Sequence, residues 1–278
     1  MKRSIPIKAL LHFLLVTGCL LAIYPMFIMV SGSFKTAAEF AANPAGLPRS
    51  FTFNNYVRLW NYNSGLILRT FINSVGVSGA YTALTLFIAS LAAFAFAKYS
   101  FKGRKILFAL LLATMMIPME VNIPPMYLLF SRIKWLNSYQ VQVLPGIANV
   151  FALFMIRQYM ESIPDAIIES AVVDGAGHGM VYARIVMPAA KPVLGALTIL
   201  LFLNKWNDYM WPMIMVHNPR MMPVSVILPT LNDSGSLQSI PWELVLTGCS
   251  IVTVPIILCF LLFQDRFMQS MTIGAVKG

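Results

Sequence analysis

Residues 164–188 read PDAIIESAVVDGAGHGMVYARIVMP, a charged and glycine-containing interval inside a very apolar chain. Its first half predicts a short helix that Ser162 caps and that Pro164 and Asp165 begin, because proline and an acidic residue suit the first turn. Gly175 is expected to end this helix in a left-handed conformation. The interval is too polar to lie in lipid, so it is predicted to connect two membrane segments.

The two halves of this interval have different patterns. In the first helix the apolar side chains fall at helical spacing on one face, namely Ile167, Ile168, Ala171 and Val172. The second half predicts another short helix over residues 180–187, which Pro188 ends because the residue before a proline disfavours helical geometry. Together the halves form a compact helix–turn–helix.

Seven positions carry a resemblance to a known family: Glu169, Ser170, Ala171, Gly175, Ile185, Met187 and Pro188. They resemble the EAA loop of ABC importer membrane subunits, whose pattern is Glu-Ala-Ala, three residues, Gly, nine residues, then Ile-x-Leu-Pro. Ser170 stands at the second position and Met187 in place of leucine. In that family the loop is the coupling helix, which docks in a cleft of a cytoplasmic ATPase subunit. The alternative is an ordinary cytoplasmic loop of another transporter.

The resemblance implies that a defined set of residues couples the chain to an ATPase. These are Glu169, Ser170, Ala171, Asp174, Gly175, Ile185 and Pro188. The chain itself contains no Gly-x-x-x-x-Gly-Lys-Ser/Thr loop, so ATP and magnesium are expected to be used by a separate ATPase subunit. This chain is therefore expected to bind no cofactor and not to be an enzyme.

Composition identifies an integral membrane protein. Of 278 residues 58% are hydrophobic and only 11% are charged, and the mean hydropathy is +0.74; soluble domains carry about 25% charged residues. A net charge of +10 also occurs in nucleic-acid-binding proteins. Here, however, the basic residues are spread along the chain and flank apolar runs, which fits membrane topology and anionic lipid better.

Six apolar runs predict an all-α membrane protein with six transmembrane helices, and the resemblance implies that these are of the type I ABC importer kind. They cover approximately residues 9–30, 71–97, 106–130, 139–159, 193–216 and 244–263 of a single permease domain, 1–278. The first run is too long for a secretory signal and has no clear cleavage site, so it is expected to stay uncleaved. Residues 160–192 connect the fourth and fifth spans.

Orientation is predicted from the loop at residues 98–105, which contains four basic residues and no acid. Such loops stay in the cytoplasm, which places residues 160–192 and both termini on that side. Arg132 and Lys134, in a loop expected outside, run against this rule.

Two polar clusters lie at predicted membrane depth, where lipid penalises charge. They supply the candidate substrate-pathway residues: Glu120, Asn122, Asn204, Trp206, Asn207, Asp208, Tyr209 and Trp211. Carboxylates and amides hydrogen-bond sugar hydroxyls, and aromatic rings stack on sugar faces. Structural alternatives remain open: Lys205 and Asp208 as an internal ion pair, the two tryptophans as interface anchors, and Glu120 as a packing contact.

Three further segments resemble carbohydrate ABC importers of the maltose type: residues 51–56, 206–212 and 274–278. The resemblance implies a bacterial inner-membrane subunit that works with a second homologous permease, two ATPase subunits, an extracytoplasmic solute-binding protein and a carbohydrate. Two other classes are weighed against it. One is an ion-coupled secondary carrier with Glu120 or Asp208 as relay, and the other is a non-transport membrane scaffold. The cysteines and histidines lack metal-site spacing, so no metal is expected.

Overall fold

The computed structural model describes the backbone of residues 5–232 and 241–275, with side chains for residues 8–231, 241–262 and 264. All regular structure in these ranges is helical, which confirms the all-α prediction. The α-helices are α1 Ile5–Ser33, α2 Ala37–Ala42, α3 Asn54–Asn61, α4 Leu66–Lys98, α5 Arg104–Thr114, α6 Ile123–Arg132, α7 Tyr139–Val143, α8 Val150–Glu161, α9 Asp165–Val173, α10 His178–Val181, α11 Met187–Ala189, α12 Lys191–Trp206, α13 Met210–Met215, α14 Val224–Ile227 and α15 Trp242–Ala275.

Other helical turns join several of these elements. They are 3₁₀ turns at Met119–Asn122, Pro219–Met221 and Leu228–Asn232, and a π-helical turn at Tyr182–Val186. Of the C-terminal segment that carried a resemblance, residues 276–278 lie outside the described residues.

Three helices in the described ranges are long and apolar enough to cross a membrane by themselves: Lys8–Ser33, Leu66–Lys98 and Trp242–Leu262. Two bent pairs also qualify when each is taken as one span, Arg104–Thr114 with Met119–Arg132 (88°) and His178–Ala189 with Lys191–Trp206 (75°). The described residues thus contain up to five candidate spans. The six-span topology stays a prediction.

Prolines and glycines explain why the later runs are interrupted. Pro118 is extended (ψ 137°), which separates α5 from the turn that leads to α6. The predicted fourth span is divided into α7 and α8, and Gly146 between them has a left-handed backbone (φ +93°). The predicted fifth span ends its main helix at Trp206 and resumes at Met210. Helical breaks inside apolar runs place polar backbone at membrane depth, where it must be covered by protein or line a cavity.

Contacts divide the chain into two compact units, of which the first comprises Met1–Leu68 and Ile227–Val254. The buried Lys35 organises it: its ammonium donates to the carbonyl oxygens of Asn43 (2.7 Å), Pro44 (3.3 Å) and Gly46 (2.6 Å). Three acceptors replace the water that burial removes, so the segment around α2 is fixed without a carboxylate.

Two short helices, α2 and α3, lie in the chain between α1 and α4. Within the first unit, α3 is joined to α15 by an ion pair between Arg58 and the nearly buried Glu243 (3.2 Å). Phe34 lies within 6 Å of three rings from residues 51–56, with centroid distances of 5.9, 5.4 and 5.4 Å. This aromatic group packs the segment onto the end of α1.

The second unit comprises Arg69–Val226 and Pro255–Gly278. Its main core joins α4, α8, α12 and the helices of residues 178–189, and fully buried members are Ala93, Ala152, Ile156, Met160, Val186 and Ala190. A smaller core gathers Phe130, Val141, Trp211, Met215 and Val216. Small buried residues on α4, such as Ala89 and Ala93, allow close helix approach.

Candidate functional site

Helix α9 begins two residues later than a cap at Ser162 would place it. Asp165 is its first residue and Pro164 its N-cap, with an extended ψ of 131° and no side-chain capping bond. Ser162 instead ends α8, where its Oγ donates to the carbonyl of Tyr159 (2.7 Å). The predicted capping role of Ser162 is therefore wrong, because the extended Pro164 separates that serine from the first turn of α9.

The end of α9 confirms the prediction for Gly175. Its φ is +87°, its N–H donates to the carbonyl of Val172 (3.0 Å), and the next N–H, that of Ala176, donates to Ala171 (2.9 Å). These two bonds form a Schellman cap, which needs a left-handed residue at this position. A side chain at Gly175 would meet no atom within 4 Å, so only the backbone conformation requires glycine.

The apolar face of α9 is divided between packing and exposure. Ile168 and Ala171 pack against the main core. Ile167 and Val172, predicted on the same face, remain 49% exposed, and Val173 is 86% exposed. Glu169, Ser170 and Asp174 are also exposed. An isolated chain thus presents branched aliphatic side chains beside a carboxylate, a combination typical of protein contact surfaces.

The second helix of this segment does not end at Pro188 as predicted. It continues through Ala189 and then turns by 75° into α12. Upstream, Met187 N–H donates to Tyr182 in the π-helical turn that contains the half-buried Ile185. Proline has no N–H, and the wider turn shifts the hydrogen-bond register just before it, which lets the helix pass the ring.

A buried cation fixes the start of α9. The Lys98 side chain is only 4% exposed, and its Nζ donates to the carbonyl of Ile163 (2.6 Å) and to Asp165 Oδ1 (2.7 Å). Lys98 was predicted only as part of a basic orientation marker. In the structure Lys98 has a second role: its side chain joins the last turn of α4 to the turn that precedes α9.

Aromatic contacts attach the rest of the segment to α4. The Tyr182 hydroxyl lies 2.8 Å from Ser90 Oγ, and the Tyr99 ring contacts that of His178 edge-on at 5.3 Å. Burial raises the pKa of Tyr99 above its ordinary value. Residues 160–192 are thereby held to α4 at both of their helices. We call them the connecting segment.

A separate cavity of about 330 Å³ lies in the same unit. We call it the polar cavity; it is lined by Tyr81, Met119, Glu120, Ile123, Pro145, Asn149, Asn204, Lys205, Asp208, Met210 and Trp211. Four predicted pathway residues line it, Glu120, Asn204, Asp208 and Trp211. The other four, Asn122, Trp206, Asn207 and Tyr209, are not among its lining residues.

Charge in the polar cavity is partly neutralised by the chain itself. Lys205 Nζ donates to Asp208 Oδ2 (2.8 Å), which confirms the ion-pair alternative, and Nζ lies 5.4 Å from the centre of the Tyr81 ring. The side chains of Glu120 and Asn204 form no hydrogen bond or ion pair with other residues in the described ranges. Their amide and carboxylate groups are therefore open to polar molecules that enter the cavity.

The two tryptophans of this region differ in role. Trp206 is 1% exposed, stacks on Phe202 (5.6 Å) and meets Phe71 edge-on (5.7 Å). Trp211 is 7% exposed and its Nε1 donates to Val141 (2.8 Å). Trp206 is thus a packing residue, whereas Trp211 is anchored by its nitrogen and contributes part of its surface to the cavity.

Sequence reasoning missed Tyr81 and Asn149 in the cavity. Asn149 accepts the N–H of Ala152 (2.9 Å) as the N-cap of α8, and the Tyr81 hydroxyl donates to Gly146 (3.2 Å). An asparagine inside an apolar run, after Pro145 and Gly146, was the available signal for a helix break at a cavity. Tyr81 gave no comparable signal.

Residues 85–273 match the family described as binding-protein-dependent transport system inner membrane component. That match includes the connecting segment and nearly the whole lining of the polar cavity. The chain belongs to this family. It is a transport permease.

Among relatives of this permease, an arabinooligosaccharides transport system permease protein of Bacillus subtilis is 34% identical and matches 93% of this chain and 92% of the relative. The sn-glycerol-3-phosphate transport system permease protein UgpE of Yersinia pestis is 29% identical, and the match covers 94% of each chain. Both relatives are thus similar to the permease over almost its whole length.

Solved structures show the same fold. A chain from the crystal structure of a bacterial ABC transporter involved in the import of the acidic polysaccharide alginate has a TM-score of 0.84, with 23% identity. The match covers 96% of the permease and 99% of that chain. A second structure, the bacterial alginate ABC transporter in complex with alginate pentasaccharide-bound periplasmic protein, gives a TM-score of 0.65 at 16% identity.

Proposed function

We propose that this permease is the membrane subunit of an ATP-driven ABC importer for a sugar, an oligosaccharide or a related polyol derivative. The supporting names all belong to relatives: an arabinooligosaccharide system, a glycerol phosphate system and an alginate importer. These substrates share several hydroxyl groups, which require hydrogen-bonding partners along any path through a membrane. The carboxylate and amide groups of the polar cavity provide such partners.

The observation that carries the proposal is the exposed face of α9. Ile167, Val172 and Val173 point away from the core beside Glu169, at a helix whose end is fixed by the Gly175 cap. We infer that this face docks in a cleft of an ATPase subunit, which supplies ATP and magnesium chemistry that the permease lacks. Burial of these side chains would contribute roughly 25 cal/mol for each Å² removed from water.

The proposed assembly contains a second homologous permease, two ATPase subunits and an extracytoplasmic solute-binding protein. The family description names dependence on a binding protein, and one alginate structure includes a periplasmic protein. The proposed topology is six spans in the cytoplasmic membrane of a bacterium, with both termini and the connecting segment inside. Closure of the ATPase dimer would then move the connecting segment and the helices attached to it as rigid bodies.

Substrate would pass through the polar cavity in this proposal. Glu120 and Asn204 have free hydrogen-bonding capacity, while Asp208 is held by Lys205. Sugar hydroxyls need dispersed donors and acceptors, and the Lys205–Asp208 ion pair leaves the Glu120 carboxylate as the unpaired charge among the lining residues. Lys205 and Asp208 are accordingly proposed to shape the pathway, and Glu120 and Asn204 to contact the substrate.

Substitution of Gly175 tests the coupling role. We expect Gly175→Asp to leave the permease inserted and paired with its partner permease, while uptake falls by at least about 100-fold, since a non-glycine left-handed residue costs roughly 1–2 kcal/mol and the added carboxylate lies beside the docking face. The measurements are uptake in cells and retention of the ATPase in the purified complex.

Gly177→Asp is the matched control. Gly177 also has no atom within 4 Å of an added side chain, but its φ is −72° and it is the N-cap of α10, where aspartate is well accepted. This variant should retain most uptake. If Gly175→Asp keeps wild-type uptake and retains the ATPase, α9 has no coupling role. If the active wild-type transporter purifies without any ATPase, the coupling role also fails, and an ion-coupled carrier is favoured.

A further inference from the structure

The loop between α4 and α5 carries four basic side chains, and the fold uses only the first of them fully. Lys98 is committed to Ile163 and Asp165. Lys102 and Lys105 are exposed, and Arg104 is half-buried, with Nη1 donating to the carbonyl of Tyr99 (2.9 Å). None of these last three takes part in an ion pair within the described part of the chain.

A groove of about 490 Å³ opens at this loop and is lined by Ser100, Phe101, Gly103, Arg104, Lys105 and Ile106. Its basic side continues directly into an apolar strip on α5. Ile106, Leu107 and Leu110 on that strip are 69%, 47% and 60% exposed. The same short region therefore presents concentrated positive charge and, within one to two helical turns, an uncovered aliphatic surface.

We propose that this groove binds the headgroup of an anionic phospholipid, with an acyl chain along the exposed strip of α5. Lysine ammonium and arginine guanidinium groups complement a phosphate diester. Arg104 and Lys105 line the groove, Lys102 is exposed in the same loop, and residues 98–105 include no acid, so the site prefers negative charge. Free phosphate would use only the basic part of the groove. A phospholipid also covers Ile106 and Leu110, which is why the lipid is the better match.

The site requires only that the permease span a membrane, and it is independent of the proposed substrate and of α9 docking. Such a lipid would hold the α4–α5 loop at the membrane surface. That loop begins at Lys98, the residue that fixes the start of α9. The lipid is therefore expected to steady the support of the connecting segment, and its removal should lower the thermal stability of the purified permease.

The test is lipid binding by the full-length permease complex, in detergent, with phosphatidylglycerol as probe and phosphatidylcholine as the neutral comparison. Each basic side chain near an anionic lipid surface contributes roughly fivefold to binding, so K102Q/K105Q should weaken phosphatidylglycerol retention roughly 25-fold and K102Q/R104Q/K105Q roughly 100-fold. The double variant keeps the Arg104 bond to Tyr99, so its folding is not at issue. Native mass spectrometry measures the bound lipid.

R132Q/K134Q is the matched control, because Arg132 and Lys134 are also exposed basic residues next to a membrane helix. It should keep wild-type retention. Equal loss in the control and the double variant, or equal retention of phosphatidylcholine and phosphatidylglycerol by the wild type, would overturn the site. Competition by inorganic phosphate as strong as by lipid would mean a simple anion site. Loss of the ATPase with unchanged lipid binding would assign the groove to a protein contact and also overturn the proposal.

Discussion

The connecting segment and the polar cavity lie in the same unit but are built in opposite ways. The connecting segment takes its shape from neighbours in sequence: Gly175 caps α9, and Pro188 sets the wider turn that precedes it. The polar cavity takes its shape from residues as far apart as Tyr81 and Trp211. A motif can therefore identify the first kind of site, whereas only the packed helices identify the second.

The difference has a consequence for mutagenesis. In the connecting segment, Ile168 and Ala171 pack against the core at the middle of the apolar face of α9, and the exposed Ile167 and Val172 lie at its edges. In the polar cavity, lining residues and packing residues alternate along the chain: Asn204 and Asp208 line the cavity, while Trp206 between them is buried. Neighbouring substitutions in the fifth predicted span should then give unlike phenotypes.

The largest expected effect is that of Trp206→Ala. Removal of a fully buried tryptophan that contacts Phe71 and Phe202 should cost about 3–5 kcal/mol of folding free energy. We expect much less permease in the membrane and a lower melting temperature in detergent. The protein that remains should transport with unchanged substrate selectivity.

Trp206→Phe is the conservative substitution to compare with Trp206→Ala. The Trp206 Nε1 has no hydrogen-bond partner in the described structure, so phenylalanine loses no bond and keeps most of the ring contacts. Its stability should be close to that of the wild type. A change of sugar preference in either variant would mean that Trp206 reaches the substrate, and the contrast between packing and pathway residues would fail.

The second effect concerns the attachment of the connecting segment. Lys98→Met removes a buried cation that donates to Ile163 and Asp165, and it leaves that carbonyl without its partner. Since hydrogen bonds to charged groups contribute about 1.5–3 kcal/mol, we expect uptake to fall roughly tenfold. The ratio of ATP hydrolysed to substrate transported should rise, because docking would persist while the movement is transmitted poorly.

Lys98→Arg should restore much of this coupling, since arginine also supplies several donors. Asp165→Asn should have a small effect, because Asp165 is 74% exposed and exposed ion pairs contribute about 0–1 kcal/mol. A proportional loss of uptake and ATP hydrolysis in Lys98→Met, with no change in their ratio, would reduce Lys98 to a stability residue.

The smallest effect is expected at Glu120. Because Glu120 has no partner inside the described chain, Glu120→Gln should leave folding, assembly and basal ATP hydrolysis unchanged. We expect the KM of uptake to rise about five- to tenfold, because a hydrogen bond to a charged group, about 1.5–3 kcal/mol, is replaced by a neutral one of about 0.5–1.5 kcal/mol. Asn122→Gln is the control, because Asn122 does not line the cavity. Identical KM values for both variants would exclude Glu120 from the pathway.

Sequence patterns predict the connecting segment better than the packing around the polar cavity, and the reason is physical. The left-handed Gly175 and the all-α fold were predicted correctly because both depend on interactions within a few residues. The capping role of Ser162 and the end at Pro188 were wrong, since each depended on backbone geometry that neighbouring helices also influence. The burial of Trp206 depends on Phe71, more than a hundred positions away, and no local pattern contains that information.

Helix α12 starts at the bend at Ala190 and ends at the polar cavity, so it connects the connecting segment to the cavity. Because a helix rises about 1.5 Å per residue, its 16 residues form an arm of about 24 Å, and a turn of about 5° at the bend displaces the far end by about 2 Å. That end carries Asn204 and Lys205, and Lys205 Nζ lies 5.4 Å from the centre of the Tyr81 ring on α4. A small swing of the connecting segment is thus large enough to change the distances between these side chains and cavity residues on other helices.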